Sequence, residues 1–430
     1  MKRFLFTACF LLPLYFIAQQ APMVNATRLN QNLETLAEYG RDSNGQPNRV
    51  AFSDGDLEGH TYVIGLMEQA GLETSVDAAG NIIGRRAGRN ASLKPIGFGS
   101  HIDMVPHGGN YDGCVGSMAA IEVAQTLHER GLQTNHPLEV IIFSNEEGAL
   151  LGSRALAGTL KPEALRIENK TGYSNGEGIE RLGGDTTRIW EIARPKNSMA
   201  AFLELHIEQG AILDREDLDI GVVEGIVGLR WWDVTIRGMA NHAGTTPMNI
   251  RQDALLAASR FIQAVNEEVL KMDGKQVATV GRIRANPGAP NVIPGEVVLS
   301  LEIRDLSDDI IDKLYDRIEK RAMEIAADSG TTFDFTLLDT TGKPALTAEW
   351  IQAEIRLAAD GLGLSHRQMQ SGAGHDAQEM ALICPAGMIF VPSKGGISHS
   401  PKEYSSPGDI ANGANVLMAT LLQLDKKLAE

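Results

Sequence analysis

The stretch from Leu229 to Asp339 limits the possible folds more than any other part of the chain. It reads in order as a strand (LRWWDVTIRG), a helix (RQDALLAASRFIQAVNEEVLK), two strands (VATVGRIRA and VVLSLEIRD), a helix (DDIIDKLYDRIEKRAMEIAADSG) and a strand (TTFDFTLLD). Strand–helix–strand–strand–helix–strand is the ferredoxin-like pattern. Residues 215–340 are therefore expected to form an α+β domain of their own, inserted into a second domain.

The flanking segments alternate between helix and strand. Leu29, Leu33 and Leu36, with Ala37, sit at helical spacing, and HTYVIGLMEQAGL reads as a helix ending at Gly71. PIGFGSHID and LEVIIFSN are short strands on either side of the helix CVGSMAAIEVAQTLHERGL. Beyond the insertion come a helix (EWIQAEIRLAADGLGL), a strand (AGMIFVP) and a closing helix (GANVLMATLLQL). This predicts an α/β domain split into residues 23–214 and 341–430. Such sheets place ligands at the C-terminal ends of their strands. A length of 430 residues suits two domains.

Residues 1–22 have a different character. Lys2 and Arg3 precede an apolar run from Phe4 to Ala18, and no further charge occurs before Arg28. This reads as a secretory signal, too short for a spanning helix of roughly 18 or more apolar residues. Export to the periplasm or medium is expected, with an uncleaved membrane anchor as the alternative. After the leader only Cys114 and Cys384 remain, which reads as buried free thiols rather than a disulfide framework. A net charge of −16 argues against nucleic acid or an anionic membrane surface as partner. It leaves room for a small anionic substrate, which responds to local charge.

Six residues that can bind a metal fall near strand ends: His101 in GSHID, Asp112 in YDG, Glu146 and Glu147 in SNEEG, His206 in ELHIEQG and His399 in GISHSP. Any one of these histidines alone is more often structural than a ligand. Together, imidazole and carboxylate donors suit zinc, manganese, cobalt or nickel. Three histidines and two or three carboxylates are too many for one tetrahedral ion and about right for two ions bridged by a carboxylate. A two-metal site acidifies a bridging water and still needs a base to take its proton. One of the adjacent glutamates would be a ligand and the other the base.

The segments GSHIDMVPHGGNYDG, NEEG, ELHIEQG, NHAGTTPM, NVIPG, SGAGHDAQ and GISHSP together resemble the N-carbamoyl-L-amino-acid hydrolase and allantoate amidohydrolase family. That family is a branch of the dinuclear metallo-aminoacylase and carboxypeptidase superfamily. The resemblance runs from about Asn25 to the C-terminus. It implies a mixed-sheet catalytic domain like that of the metallo-exopeptidases, with the inserted domain acting as a lid and homodimer interface.

By the same resemblance, His101 and His206 would lie on separate metals, with Asp112 bridging and Glu147 and His399 completing the ligand set. Glu146 would be the general base, and Asp103 would orient a ligand histidine. His242 is implied to stabilise the oxyanion, reaching across a dimer interface. Asn291 and Arg304 would hold the substrate carboxylate, and Gln209, Gly372 and His375 would complete the pocket. The implied reaction is hydrolysis of the ureido group of a small carboxylate. Its rivals are allantoate or ureidoglycolate hydrolysis, a dipeptidase or aminoacyl deacylase, and a non-catalytic secreted binding protein. The short EEGALLGSR segment departs from the longer spacing of many members.

Overall fold

The computed structural model describes residues 22–338 and 342–430. The expected leader, through Ala21, and Cys9 lie outside the described residues. No helix among those described is long and apolar enough to cross a membrane.

Strands β1 (Glu73–Val76), β2 (Ile82–Arg86), β3 (Ile96–His101), β4 (Leu138–Phe143), β5 (Ala201–Ile207) and β6 (Ile220–Ile226) begin the larger sheet. Seven strands then build smaller sheets: β7 (Gly228–Arg237), β8 (Asn241–His242), β9 (Val277–Thr279), β10 (Ile283–Asn286), β11 (Val292–Ile293), β12 (Glu296–Asp305) and β13 (Thr332–Leu337). With β14 (Ala345–Leu346), β15 (His366–Ser371) and β16 (Ala386–Val391) the chain returns to the first. The larger sheet is mixed, in the order β1-β2-β4-β3-β5-β16-β6-β14, with β15 also paired to β6.

Its centre, β4, β3, β5 and β16, is parallel. Every residue of these four strands is buried. A parallel sheet covered on both faces needs the near-continuous apolar runs that the sequence supplies. On one face, Val115, Met118 and Ile121 of the helix Cys114–Glu129 pack with Leu417 and Leu421 of the helix Pro407–Ala429. On the other, Phe143, Phe202 and Met388 meet Met380 and Ile383. The parallel strands end on a common edge, and there the chain turns into the loops that carry the candidate ligands.

A five-stranded antiparallel sheet, ordered β10-β12-β7-β13 with β9 also on β12, has its own core. Phe261 of the helix Ala254–Leu270 and Leu314 and Ile318 of the helix Asp308–Ser329 pack against Trp232, Val234 and Leu299. Burial alternates along β12, as expected of a sheet covered on one face only.

Three details differ from the sequence reading. VATVGRIRA is two strands, β9 and β10, broken around Gly281, and glycine commonly marks an interruption in a strand. β6, inside the stretch read as 215–340, pairs with β16 and β15 of the larger sheet. β15, with the polar sequence HRQMQS, gave no strand signal because it is only partly buried at the sheet's margin. The two sheets are joined by a ribbon. β6 pairs antiparallel with β14, and a bridge between Leu229 and Gly342 carries the pairing on towards β7.

Candidate metal centre

His101 is the last residue of β3 and His206 lies near the end of β5. The two strands are parallel neighbours, so the imidazoles sit side by side, with ring centroids 5.8 Å apart. Nδ1 of His101 faces the Asp103 carbonyl oxygen at 3.1 Å, and Nδ1 of His206 faces that of Ile207 at 2.9 Å. A carbonyl accepts only from an N–H, so Nδ1 of each ring is a donor, and loss of the proton from Nε2 leaves the tautomer a metal ligand needs.

Asp112 lies between them and His399. Its Oδ1 is 3.2 Å from Nε2 of His206 and 3.7 Å from Nε2 of His101, while its Oδ2 is 3.3 Å from Nε2 of His399. Nε2 of His399 is in turn 3.5 Å from Oε1 of Glu147. The donor atoms thus fall into two compact groups, His101–Asp112–His206 and Asp112–Glu147–His399, which share Asp112. The resemblance implied separate metals for His101 and His206; their donor atoms lie in one group here, because adjacent strands deliver both to the same carboxylate oxygen. A further group, Glu204–His206–His375, lies beside them. Glu204 already accepts from the Ser100 hydroxyl (2.7 Å) and the Ala377 N–H (2.8 Å), so it acts as support next to His206.

The residues fit divalent cations. Nε2 of His101 and Oε1 of Glu147 are buried without a hydrogen-bond partner. Buried polar atoms are seldom left so unless something else satisfies them. Gly113, with φ of 64°, lets the Asp112 turn approach; a Cβ there would fall 2.3 Å from Nε2 of His101. Asn145 (φ 50°), Gln209 (57°) and His399 (52°) also hold left-handed backbone conformations around the cluster. For residues other than glycine such conformations are costly and concentrate at functional sites.

The electrostatics express a surplus of buried carboxylates. Burial pushes Glu146 well above the usual range, and the charges of Asp376 and Glu147 add to this while His101 opposes it. Burial, reinforced by Asp112, raises Glu147 to about 7. Burial also works against ionising Asp112, yet its hydrogen bonds to His206 and His399 hold it well below the usual range. A bound cation would reverse the upward shifts.

Asp103 accepts the backbone N–H groups of Glu146 and Glu147, at 3.2 Å each, and lies 3.5 Å from Nδ1 of His101. One carboxylate thus fixes both the double-glutamate turn and a candidate ligand ring. Gln209 donates to Oδ2 of Asp112 at 2.6 Å. His375 is buried, hydrogen-bonded to Ser371 at 2.8 Å and edge-on to the His206 ring at 4.4 Å, so it braces that ring rather than lining an open cleft. Arg304 grips Glu302 through Nε (2.9 Å) and Nη2 (3.0 Å) and donates from Nη1 to the Gly372 carbonyl at 2.6 Å. That contact links β12 to the loop bearing His375. His242 and Asn291 meet on the β8–β11 ribbon, where the Ala243 N–H donates to the Asn291 carbonyl. The side-chain hydrogen bonds of His242 go to the turn that follows β8, at Gly244 and Thr245, and the Thr246 hydroxyl donates to its carbonyl. Glu204, Asp376 and Glu403 were missed by sequence reasoning. Glu204 looks like part of a strand, and Glu403 like a solvated turn residue four places after His399.

Comparison with known proteins places this geometry in context. The sequence model of peptidase family M20/M25/M40 matches residues 97–423. The N-carbamoyl-L-amino acid amidohydrolase of Geobacillus stearothermophilus is 41% identical over 94% of this chain and 99% of its own length. The allantoate amidohydrolase of Escherichia coli is 34% identical over 92% and 97%. A crystal structure of a hydantoinase/carbamoylase family amidase from Burkholderia multivorans superposes with a TM-score of 0.87 at 37% identity, covering 94% of this chain and 98% of that one. With matching sequence, fold and length, the chain belongs to peptidase family M20/M25/M40.

Proposed function

We propose that this chain hydrolyses the ureido C–N bond of N-carbamoyl-L-amino acids, giving the amino acid, ammonia and carbon dioxide. Two divalent ions would be held by His101, Asp112 and His206 and by Asp112, Glu147 and His399. The observation that carries the reading is the Asp112 carboxylate, whose two oxygens face different imidazoles at 3.2 and 3.3 Å. When bound, the ions supply Lewis acidity that polarises the substrate carbonyl and acidifies water.

The remaining work falls to side chains. Glu146, with Oε2 3.7 Å from Nε2 of His101, stands beside the ligand atoms without belonging to either donor group. It takes a proton from the attacking water and delivers it to the leaving nitrogen. Departure of ammonia leaves a carbamate, which loses carbon dioxide. Nδ1 of His242 accepts from the Gly244 and Thr245 N–H groups at 3.0 and 3.2 Å, so Nε2 carries the proton and can donate to the oxyanion. Asn291 and Arg304 bind the substrate carboxylate, and Glu302 holds the guanidinium ready for that bidentate contact.

The smaller sheet serves as lid and dimer surface in this reading. Support comes from the exposed Met239, Met248, Ile250, Leu256 and Leu270 along and just before the helix Ala254–Leu270. A homodimer would bring a partner's copy of His242 to each site. The basic–apolar leader supports export to the periplasm or medium. The test is ammonia release over N-carbamoyl amino acids, allantoate, ureidoglycolate and dipeptides, with zinc, manganese, cobalt or nickel. Turnover of N-carbamoyl amino acids is expected to be fastest; cleavage of dipeptides alone would overturn the proposal.

A further inference from the structure

Asp112 and His399 are far apart in the chain and come from loops on different strands. Between them lies a buried carboxylate with no part in the chemistry above. Oε1 of Glu403 accepts the backbone N–H groups of Tyr111 (2.9 Å) and Asp112 (3.0 Å). Its Oε2 accepts the Ser398 hydroxyl (2.8 Å) and the His399 N–H (3.3 Å). One oxygen therefore serves the Asp112 loop and the other serves the His399 loop. The fit is close: a Cβ on Gly109 would fall 2.0 Å from Oε1. Tyr111 and Tyr404 pack edge-on, 5.7 Å apart, beside the same junction.

We propose that Glu403 is a positioning residue that sets the spacing between the Asp112 and His399 loops, assembling the Asp112–Glu147–His399 half of the centre before an ion arrives. The proposal rests on the metal reading given above. Its logic is that of a carboxylate with four donors, all uncharged. Ionised, it offers only acceptors, and all four are satisfied. An isosteric Gln keeps the volume but turns one side into a donor. Facing Tyr111 and Asp112, the amide nitrogen opposes two N–H donors. Facing the other loop it opposes the His399 N–H, while the Ser398 hydroxyl can turn its proton to Oδ2 of Asp112, 3.0 Å away, and accept instead. The first half of the centre depends on Glu403 only through Asp112, because its two histidines are held by the pairing of β3 with β5.

The test uses full-length wild type, Glu403→Gln, Glu403→Asp and, as a control, Glu122→Gln. Glu122 is also a buried carboxylate, holding Arg28 and the Asn25 N–H far from the cluster. Amide exchange of the metal-free proteins is read over residues 108–113 and 397–400, and zinc retention is read against a competing chelator. In Glu403→Gln, exchange should quicken in one or both segments. One zinc, that of the Asp112–Glu147–His399 group, should weaken by roughly 10- to 100-fold, the usual effect of losing an outer partner of a ligand, and the other should weaken less. Glu403→Asp, which keeps the charge but shortens the reach, should fall between. Unchanged exchange with two wild-type affinities would overturn the proposal, as would an equal loss of zinc in Glu122→Gln. Wild-type protein that holds no zinc would instead overturn the metal reading, and this proposal with it.

Discussion

Glu146 and Glu147 are neighbours in sequence with different surroundings, and their difference can be measured. Glu147 faces His399, whereas Glu146 faces His101 from outside both donor groups. Glu146→Gln should retain metal and lose turnover by roughly 100-fold or more, the contribution of a positioned base. Glu147→Gln should lose metal first; elemental analysis of the two variants decides, and the opposite pattern would exchange the roles. In metal-free protein the same residues set a pH dependence. The Glu147 carboxyl is raised from 4.5 to about 7, so its stabilisation is full below 4.5 and is lost as pH rises through about 7. His399 is raised from 6.5 to about 9 by its hydrogen bond to Asp112, so its stabilisation is present below 6.5 and lost as pH rises through about 9. The urea midpoint of chelator-treated protein should therefore fall between about pH 5.5 and about pH 8.5, and zinc should restore it. A midpoint that rose over that window would contradict the assignment. The residues that meet in the cluster stood out in the sequence because His101 and His206 sit at or near strand ends and Asp112 and Glu147 precede glycines, while His399 lies in a loop. Glu403 was not, because nothing in SHSPKEY distinguishes a carboxylate folded back between two loops from one in solvent.

Among the elements, the central strands and long helices could be read directly, since covering a parallel sheet on both faces demands unbroken apolar runs. The partner of each histidine could not, because strand order is not written in spacing. The larger sheet runs β4-β3-β5-β16, and this order, rather than any local motif, puts His101 beside His206. β12 carries the next test. Arg304 is a quarter exposed, holds Glu302 and reaches the Gly372 carbonyl, so it ties the smaller sheet to the loop of His375. Arg304→Ala should keep its metal and lower kcat/KM for N-carbamoyl amino acids by roughly 30- to 1000-fold, the scale of truncating one partner of a charge pair. On an analogue with a neutralised carboxylate the loss should be much smaller. Equal losses on both would reduce Arg304 to a structural tie.

For the whole molecule, the exposed apolar side chains of the helix Ala254–Leu270 are the main unpaired feature of the smaller sheet. Leu270, 77% exposed, is the most open of them. If the proposed homodimer forms through this face, Leu256→Asp combined with Leu270→Asp should shift sedimentation from dimer to monomer and lower activity without loss of metal. A wild type that sediments as a monomer would overturn the dimer, and a double variant that stays dimeric would place the interface elsewhere. The ribbon between the sheets has a separate consequence. The chain enters the smaller sheet beyond β6 and returns through β14, and these strands are hydrogen-bonded to each other. The two crossing points are therefore neighbours, and the segment from Leu229 to Gly342 is a cassette plugged into a host through adjacent sockets. On the proposed function, the host would keep the ion-binding loops and the cassette the carboxylate-reading side chains. Grafting a relative's cassette onto this host would leave both sockets where they are, and on that function it would recombine substrate preference while the metal chemistry is inherited.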